Sequence, residues 1–193
     1  MFAPSNQGVP THFFGYGSLV NTRTHQNRPA AVAQLRGWRR GWRTPPGSEV
    51  AVLTALPDPE AEIEGLVAAV APADWAALHA REAHYDLHDV STSTRHDTGT
   101  ESRIGLYAVP DRHGRAAAAP ILLSYLDVVA QGYLDHFGPE GLARFVETTE
   151  GWETPVTDDR AAPRYPRAQP LADDTRAAVD ALLSGLGARI LRG

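Results

Sequence analysis

Two short stretches of this chain carry residue types able to act on a small anionic molecule. The first is Phe13-Phe14-Gly15-Tyr16-Gly17-Ser18-Leu19-Val20. It begins like a buried strand and breaks into a turn at two glycines, which admit close approaches that a Cβ would obstruct. Successive backbone N–H groups in such a turn can converge on one point and hold a carboxylate. The second stretch is Leu78-His79-Ala80-Arg81-Glu82-Ala83-His84-Tyr85. Beside Leu78 and Tyr85, Glu82 can be desolvated, and a carboxylate of raised pKa both takes and returns protons. Pattern alone favours another role: a solvated helix residue paired with Arg81 or a nearby histidine. For Tyr16 and Tyr85 two roles also stay open, a hydrogen bond to substrate or core packing with a satisfied hydroxyl.

Other chemistry finds less support. His84 and His88 lie four apart with Asp89 next, a spacing that can bind zinc on a helix. The helix is expected to end near Tyr85, however, and no HExxH pattern occurs, so exposed polar histidines are the simpler reading and no metal site is expected. Ser18 lacks the GxSxG context of a nucleophile elbow. The chain has no cysteine, and all eighteen basic residues are arginine. Thiolate nucleophiles, disulfides, Schiff-base lysines and the Walker lysine are thereby excluded. The net charge of −5 argues against a nucleic-acid partner. Arg36, Arg39, Arg40 and Arg43 are expected to line a rim of the fold. Met1 to Pro10 lacks the basic and apolar regions of a secretory signal, and no apolar run reaches membrane-spanning length. A cytoplasmic protein without membrane association is expected.

These residues need elements to position them. At 193 residues the chain suits one substantial core. Val32–Trp42 predicts a strand broken at Gly37, and Val20–Pro29 a loop or short helix. Val50–Leu56 predicts a strand ending in a turn at Pro57-Asp58-Pro59. Glu60–Val70 alternates and predicts another strand. Pro72-Ala73-Asp74 predicts a helix start, with Trp75, Leu78 and Glu82 on one face. Strands follow around Tyr85–Val90 and over Arg103–Val109, with a turn at Asp111–Gly114. From Pro120 the spacing is helical to a stop at Gly138-Pro139, with Ala116–Ala119 as the entry, and Glu140–Thr148 forms a second helix. Trp152–Pro170 is expected to be irregular. Leu171–Leu191 predicts an amphipathic helix with Val179, Leu182, Leu183 and Leu186 inward. The organisation is α+β.

The motifs FGYGSL, LRGWRRGW, Gly65-Leu66-Val67, LHAREAHY and Pro120–Leu126 together resemble the γ-glutamylcyclotransferase superfamily, which includes the ChaC-like enzymes. The resemblance spans about Phe13 to Phe145. It implies a small, closed or nearly closed mixed β-barrel with packed helices and a helical C-terminal part. It divides the chain into a flexible arm (1–12), the family domain (13–150) and an extension packed on it (151–193). It also implies that Tyr16, Gly17, Ser18 and Leu19 bind a γ-glutamyl group and that Glu82 is the catalytic acid/base; Tyr85, from its own position, is a candidate for hydrogen-bonding that substrate. The implied products are 5-oxoproline and a freed amine, without a cofactor. An alternative keeps the same turn in a non-catalytic binding module for γ-glutamyl or related anionic metabolites. The turn here is followed by Asn21-Thr22-Arg23 where ChaC-like proteins usually place an aromatic residue, so the resemblance does not single out glutathione; glutathione, γ-glutamyl amino acids and γ-glutamyl amines all stay open, as does oligomeric state. Arg164 or Arg167 in the tail is a candidate for reaching a substrate carboxylate; a structural wrap is the other role for that segment.

Overall fold

The structure is a computed structural model and describes residues 10–98, 102–110 and 119–192. Most of the 1–12 arm, the Asp111–Gly114 turn and Ala116–Ala118 lie outside those residues. The frame is one long hairpin, β2 (Ala30–Arg43) against β3 (Val52–Ala69). β1 (His12–Gly15) runs antiparallel to β3 and parallel to β6 (Ile104–Ala108). β4 (Asp86–Asp89) closes one edge on β6, and β5 (Thr94–His96) the other on β2. β8 (Thr149–Glu150) also pairs with β2, giving a seven-stranded mixed sheet in the order β4-β6-β1-β3-β2-β5 with β8 off that path. A second sheet is wholly parallel: β7 (Ile121–Leu122), β9 (Val156–Asp158) and β10 (Ile190–Arg192). With α1 (Trp75–Arg81), α2 (Leu123–Glu147) and α3 (Asp173–Gly185), this is the expected α+β class.

Three expectations need correction. Pro57-Asp58-Pro59 does not end a strand, because β3 runs through it. Between the pairs Arg36↔Glu62 and Trp38↔Pro57, β2 has only Gly37, whereas β3 has Asp58 to Ala61. The ladder is irregular there, and a strand tolerates prolines where pairing makes no demand for their missing N–H. The late helix does not start at Ile121. Ile121 and Leu122 form β7 first, and α2 then changes direction at Gly138, whose φ is +67°. Finally, α3 stops at Gly185. Gly187 takes φ +62°, with Gly187 N–H bonded to the Ser184 carbonyl and Ala188 N–H to that of Leu183. This Schellman cap releases the chain into β10, so Leu191 belongs to a strand.

β1 sets the position of the site. Successive side chains of a strand face opposite ways, and both faces of β1 are covered. Phe14 enters the main core with Leu35, Leu53, Leu66, Leu126, Val129 and Phe145. Phe13 enters a smaller cluster with Leu19, Val70, Trp75 and Leu78. Each such side chain contributes about 1.5–3 kcal/mol on full burial. The second cluster is what holds α1, since a helix of seven residues is marginal alone. β1 is thus clamped between α1 and α2, and the turn after it opens between them.

Candidate active site

After Gly15 the chain passes Tyr16 and Gly17 into a 3₁₀ turn over Ser18–Val20. Two anchors fix this turn on α2. Asn21, fully buried, donates its amide N–H groups to the Val128 carbonyl (2.9 Å) and Gln131 Oε1 (2.8 Å). The Tyr133 hydroxyl donates to the Tyr16 carbonyl (2.9 Å). The peptide is planar and trans, so holding that carbonyl toward the core aims the Gly17 N–H the other way. Val20 N–H bonds the Gly17 carbonyl and Asn21 N–H that of Ser18, whereas the Gly17 and Leu19 N–H groups meet no acceptor among the described residues. Gly17 also makes room: a Cβ there would lie 2.9 Å from the Tyr125 hydroxyl oxygen.

Glu82 arrives from the other side. It caps the C-terminus of α1, its N–H bonded to the Leu78 carbonyl at 3.0 Å. Its side chain is 14% exposed and contacts Arg81 Nε through Oε1 at 3.1 Å. The same guanidinium donates to Ser18 Oγ (3.1 Å) and to the Thr24 carbonyl (3.3 Å). Arg81 therefore ties the carboxylate to the turn. Burial raises the Glu82 pKa above the usual carboxylate range, while Arg81 and then Arg167 pull it back. A carboxylate of raised pKa beside a cavity has the character of a group that both takes and returns a proton.

Glu82, Tyr16, Gly17, Ser18, Leu19 and Tyr85, the six candidates from the sequence, all line one cavity of about 180 Å³. Tyr16 lends its backbone more than its hydroxyl, which donates to the Tyr107 carbonyl at 2.6 Å. Five of the six tyrosines line this cavity: Tyr16, Tyr85, Tyr107, Tyr125 and Tyr165. They give it aromatic walls, and burial pushes the Tyr107 phenol up to about 12, with Glu82 adding to the shift. Tyr107 also hydrogen-bonds His79 Nδ1 at 2.7 Å. Val50, Ala51, Val52, Leu53 and Leu122 extend the apolar lining.

The sequence reading missed several of these residues as site components. Arg81 stood in the motif but only as a partner for Glu82. Tyr107 and Tyr125 look like ordinary strand and helix core residues, and no local signal marks them. In the tail, Arg167 lines the cavity with Tyr165, whereas Arg164 is exposed and does not. The arginines of β2 also divide. Arg36 pairs with Glu62, and Arg39 and Arg43 with Glu150, but Arg40 is wholly buried rather than on a rim. His84 is exposed, and the His88 ring packs against Trp38 with centroids 5.3 Å apart. No cluster of three or more His, Asp or Glu side chains suited to a metal ion occurs among the described residues.

No family model matches the sequence, and no curated protein matches it. The fold has clear counterparts among solved structures. One is a γ-glutamyl cyclotransferase, superposing over 90% of this chain and 99% of that one, with a TM-score of 0.57 and 16% identity. An uncharacterized protein from Homo sapiens aligns over 88% and 98%, with a TM-score of 0.57 and 18% identity. YkqA from Bacillus subtilis aligns over 76% of this chain and 58% of its own, with a TM-score of 0.58 and 19% identity. The chain has the fold that these structures share. At such identities the likeness concerns the fold and leaves the chemistry to be argued from the residues.

Proposed function

We propose that this protein is a cytoplasmic γ-glutamyl cyclotransferase that releases 5-oxoproline from a γ-glutamyl compound. The observation that carries the reading is the joint placement of a desolvated carboxylate, Glu82, and unpartnered N–H groups at Gly17 and Leu19 around one cavity, joined through Arg81. A γ-glutamyl group matches that arrangement: its α-carboxylate meets the turn and its α-ammonium meets Glu82. The domain over 13–150 supplies all of these groups, and the 151–193 extension completes the wall.

The reaction is intramolecular. Glu82 removes a proton from the α-ammonium, and the freed amine attacks the γ-carbonyl carbon to close a five-membered ring. The tetrahedral intermediate collapses as the C–N bond to the leaving group breaks. Glu82 returns its proton to that nitrogen, then takes the surplus proton from the ring nitrogen and passes it to the departing amine. Protons balance without solvent, and no covalent enzyme intermediate is needed. Holding the substrate folded can lower the barrier by as much as about 7–11 kcal/mol, and proton transfer by a positioned carboxylate adds about 10²–10⁴-fold.

The test is product identity. Incubation with γ-glutamyl-alanine should yield 5-oxoproline and alanine in equal amounts. Free glutamate in place of 5-oxoproline would mean water is the nucleophile and would reject intramolecular attack. Binding without any product would favour a γ-glutamyl-binding module.

A further inference from the structure

Among the described residues two arginines, Arg81 and Arg167, line the cavity, and only Arg81 is committed to an ion pair. Arg81 is engaged by Glu82, Ser18 and Thr24. Arg167, half-buried in the cavity wall, forms no ion pair within the described residues, though its charge acts on Glu82. In the reading above, the turn and Glu82 already match both charges of a γ-glutamyl group. One positive charge is left over.

The segment presenting Arg167 is held in place by a built contact. Asp159, 6% exposed, accepts from Ser124 N–H (2.8 Å), Ser124 Oγ (2.6 Å) and Arg164 N–H (2.9 Å). Ser124 Oγ in turn accepts from Tyr165 N–H at 3.3 Å, and the Tyr165 ring meets Tyr125 edge-on with centroids 5.0 Å apart. The first turn of α2 therefore fixes the tail where it crosses the cavity. Long charged side chains are seldom placed in an apolar wall without a partner. A carboxylate ligand supplies one, and guanidinium matches it with paired N–H donors.

We infer that Arg167 is a specificity-determining residue that binds a carboxylate on the leaving group. Substrates whose freed amine is an α-amino acid are then preferred over γ-glutamyl amides of simple amines. The apolar surface of Val50–Leu53 suits a small aliphatic side chain on that amino acid. This inference rests on the cyclotransferase reading and extends it to the leaving half of the substrate.

The test compares γ-glutamyl-alanine with γ-glutamyl-ethylamide, which lacks the second carboxylate, in native protein, Arg167→Leu and Arg167→Lys. A charge-assisted hydrogen bond corresponds to about a tenfold to hundredfold change in affinity. Arg167→Leu should raise KM for γ-glutamyl-alanine by about that factor more than it raises KM for the ethylamide, while any change in kcat that comes through the charge of Arg167 on Glu82 should be common to both substrates. Arg167→Lys should recover part of the loss. Equal losses on both substrates would assign Arg167 to the shared γ-glutamyl half and overturn the inference. Unchanged kinetics on both would overturn it as well. If neither compound gives 5-oxoproline with native protein, the cyclotransferase reading fails, and the inference falls with it.

Discussion

Arg40 and Glu82 are both largely taken out of water in this molecule, and their surroundings differ in kind. Arg40 is fully buried in the core. It donates to Thr148 Oγ1, the Glu64 carbonyl and the Tyr133 hydroxyl, and its guanidinium carbon lies 5.1 Å and 5.3 Å from the ring centroids of Tyr133 and Phe145. Neutral oxygens answer both terminal nitrogens and aromatic rings cover its face, with Nε alone left without a hydrogen-bond partner. Glu82 has one cationic partner, lies against apolar walls and keeps one face on a cavity. A buried charge that is enclosed by partners organises a core. One left partly unanswered beside a cavity is placed where it can act on a ligand.

Breaking each group should have opposite consequences. Glu82→Gln should reduce kcat by about 10²–10⁴-fold with the fold intact, measured by 5-oxoproline release and circular dichroism. Arg40→Met should lose about 3 kcal/mol of stability by denaturant unfolding, because it dismantles a buried hydrogen-bond network, while turnover per folded molecule stays within a few-fold. Loss of activity without loss of stability in Arg40→Met would collapse the distinction between the two sites. Asp159→Ala should cost about 1–3 kcal/mol for the donors it strands, and should also raise KM for γ-glutamyl-alanine by releasing the segment that carries Arg167.

Finer tests use pH. As a base Glu82 must be ionised, so kcat/KM should fall on the acid side through a pKa above the ordinary glutamate value. Arg81→Met should move that acid limb to higher pH, since Arg81 favours the charged form. Stability runs the other way. With its pKa raised in the folded state, Glu82 contributes most below its unfolded pKa, and that contribution disappears as pH rises through the folded value. Glu82→Gln should therefore melt at a higher temperature than native protein at neutral pH, an advantage that vanishes in acid. An unchanged difference across the pH range would mean that Glu82 is solvated.

The part of the site legible in the sequence is the part written in short local motifs. The Tyr16–Leu19 turn and Arg81-Glu82 each sit within a few residues, and the apolar spacing of Trp75 and Leu78 fixes which way Glu82 faces. Local signals misled where pairing overrode them: the prolines of β3 read as a turn, yet the long partner β2 carries the strand past them. The arginines of β2 read alike, and only the bulge at Gly37 and the packing of α2 decide that Arg40 turns inward. Arg167 was legible as a candidate for a substrate carboxylate but not separable from Arg164, and Tyr165 only as a tail residue, since their place at the cavity depends on Asp159 meeting Ser124, 35 positions away. No periodicity encodes such a contact.

The most direct test of the central claim is 5-oxoproline release from γ-glutamyl-alanine at neutral pH by native protein and by Glu82→Gln, each checked for folding. The account predicts turnover in the native protein and a loss of at least about a hundredfold in the variant. Equal turnover in the two would remove Glu82 from the chemistry and contradict the account.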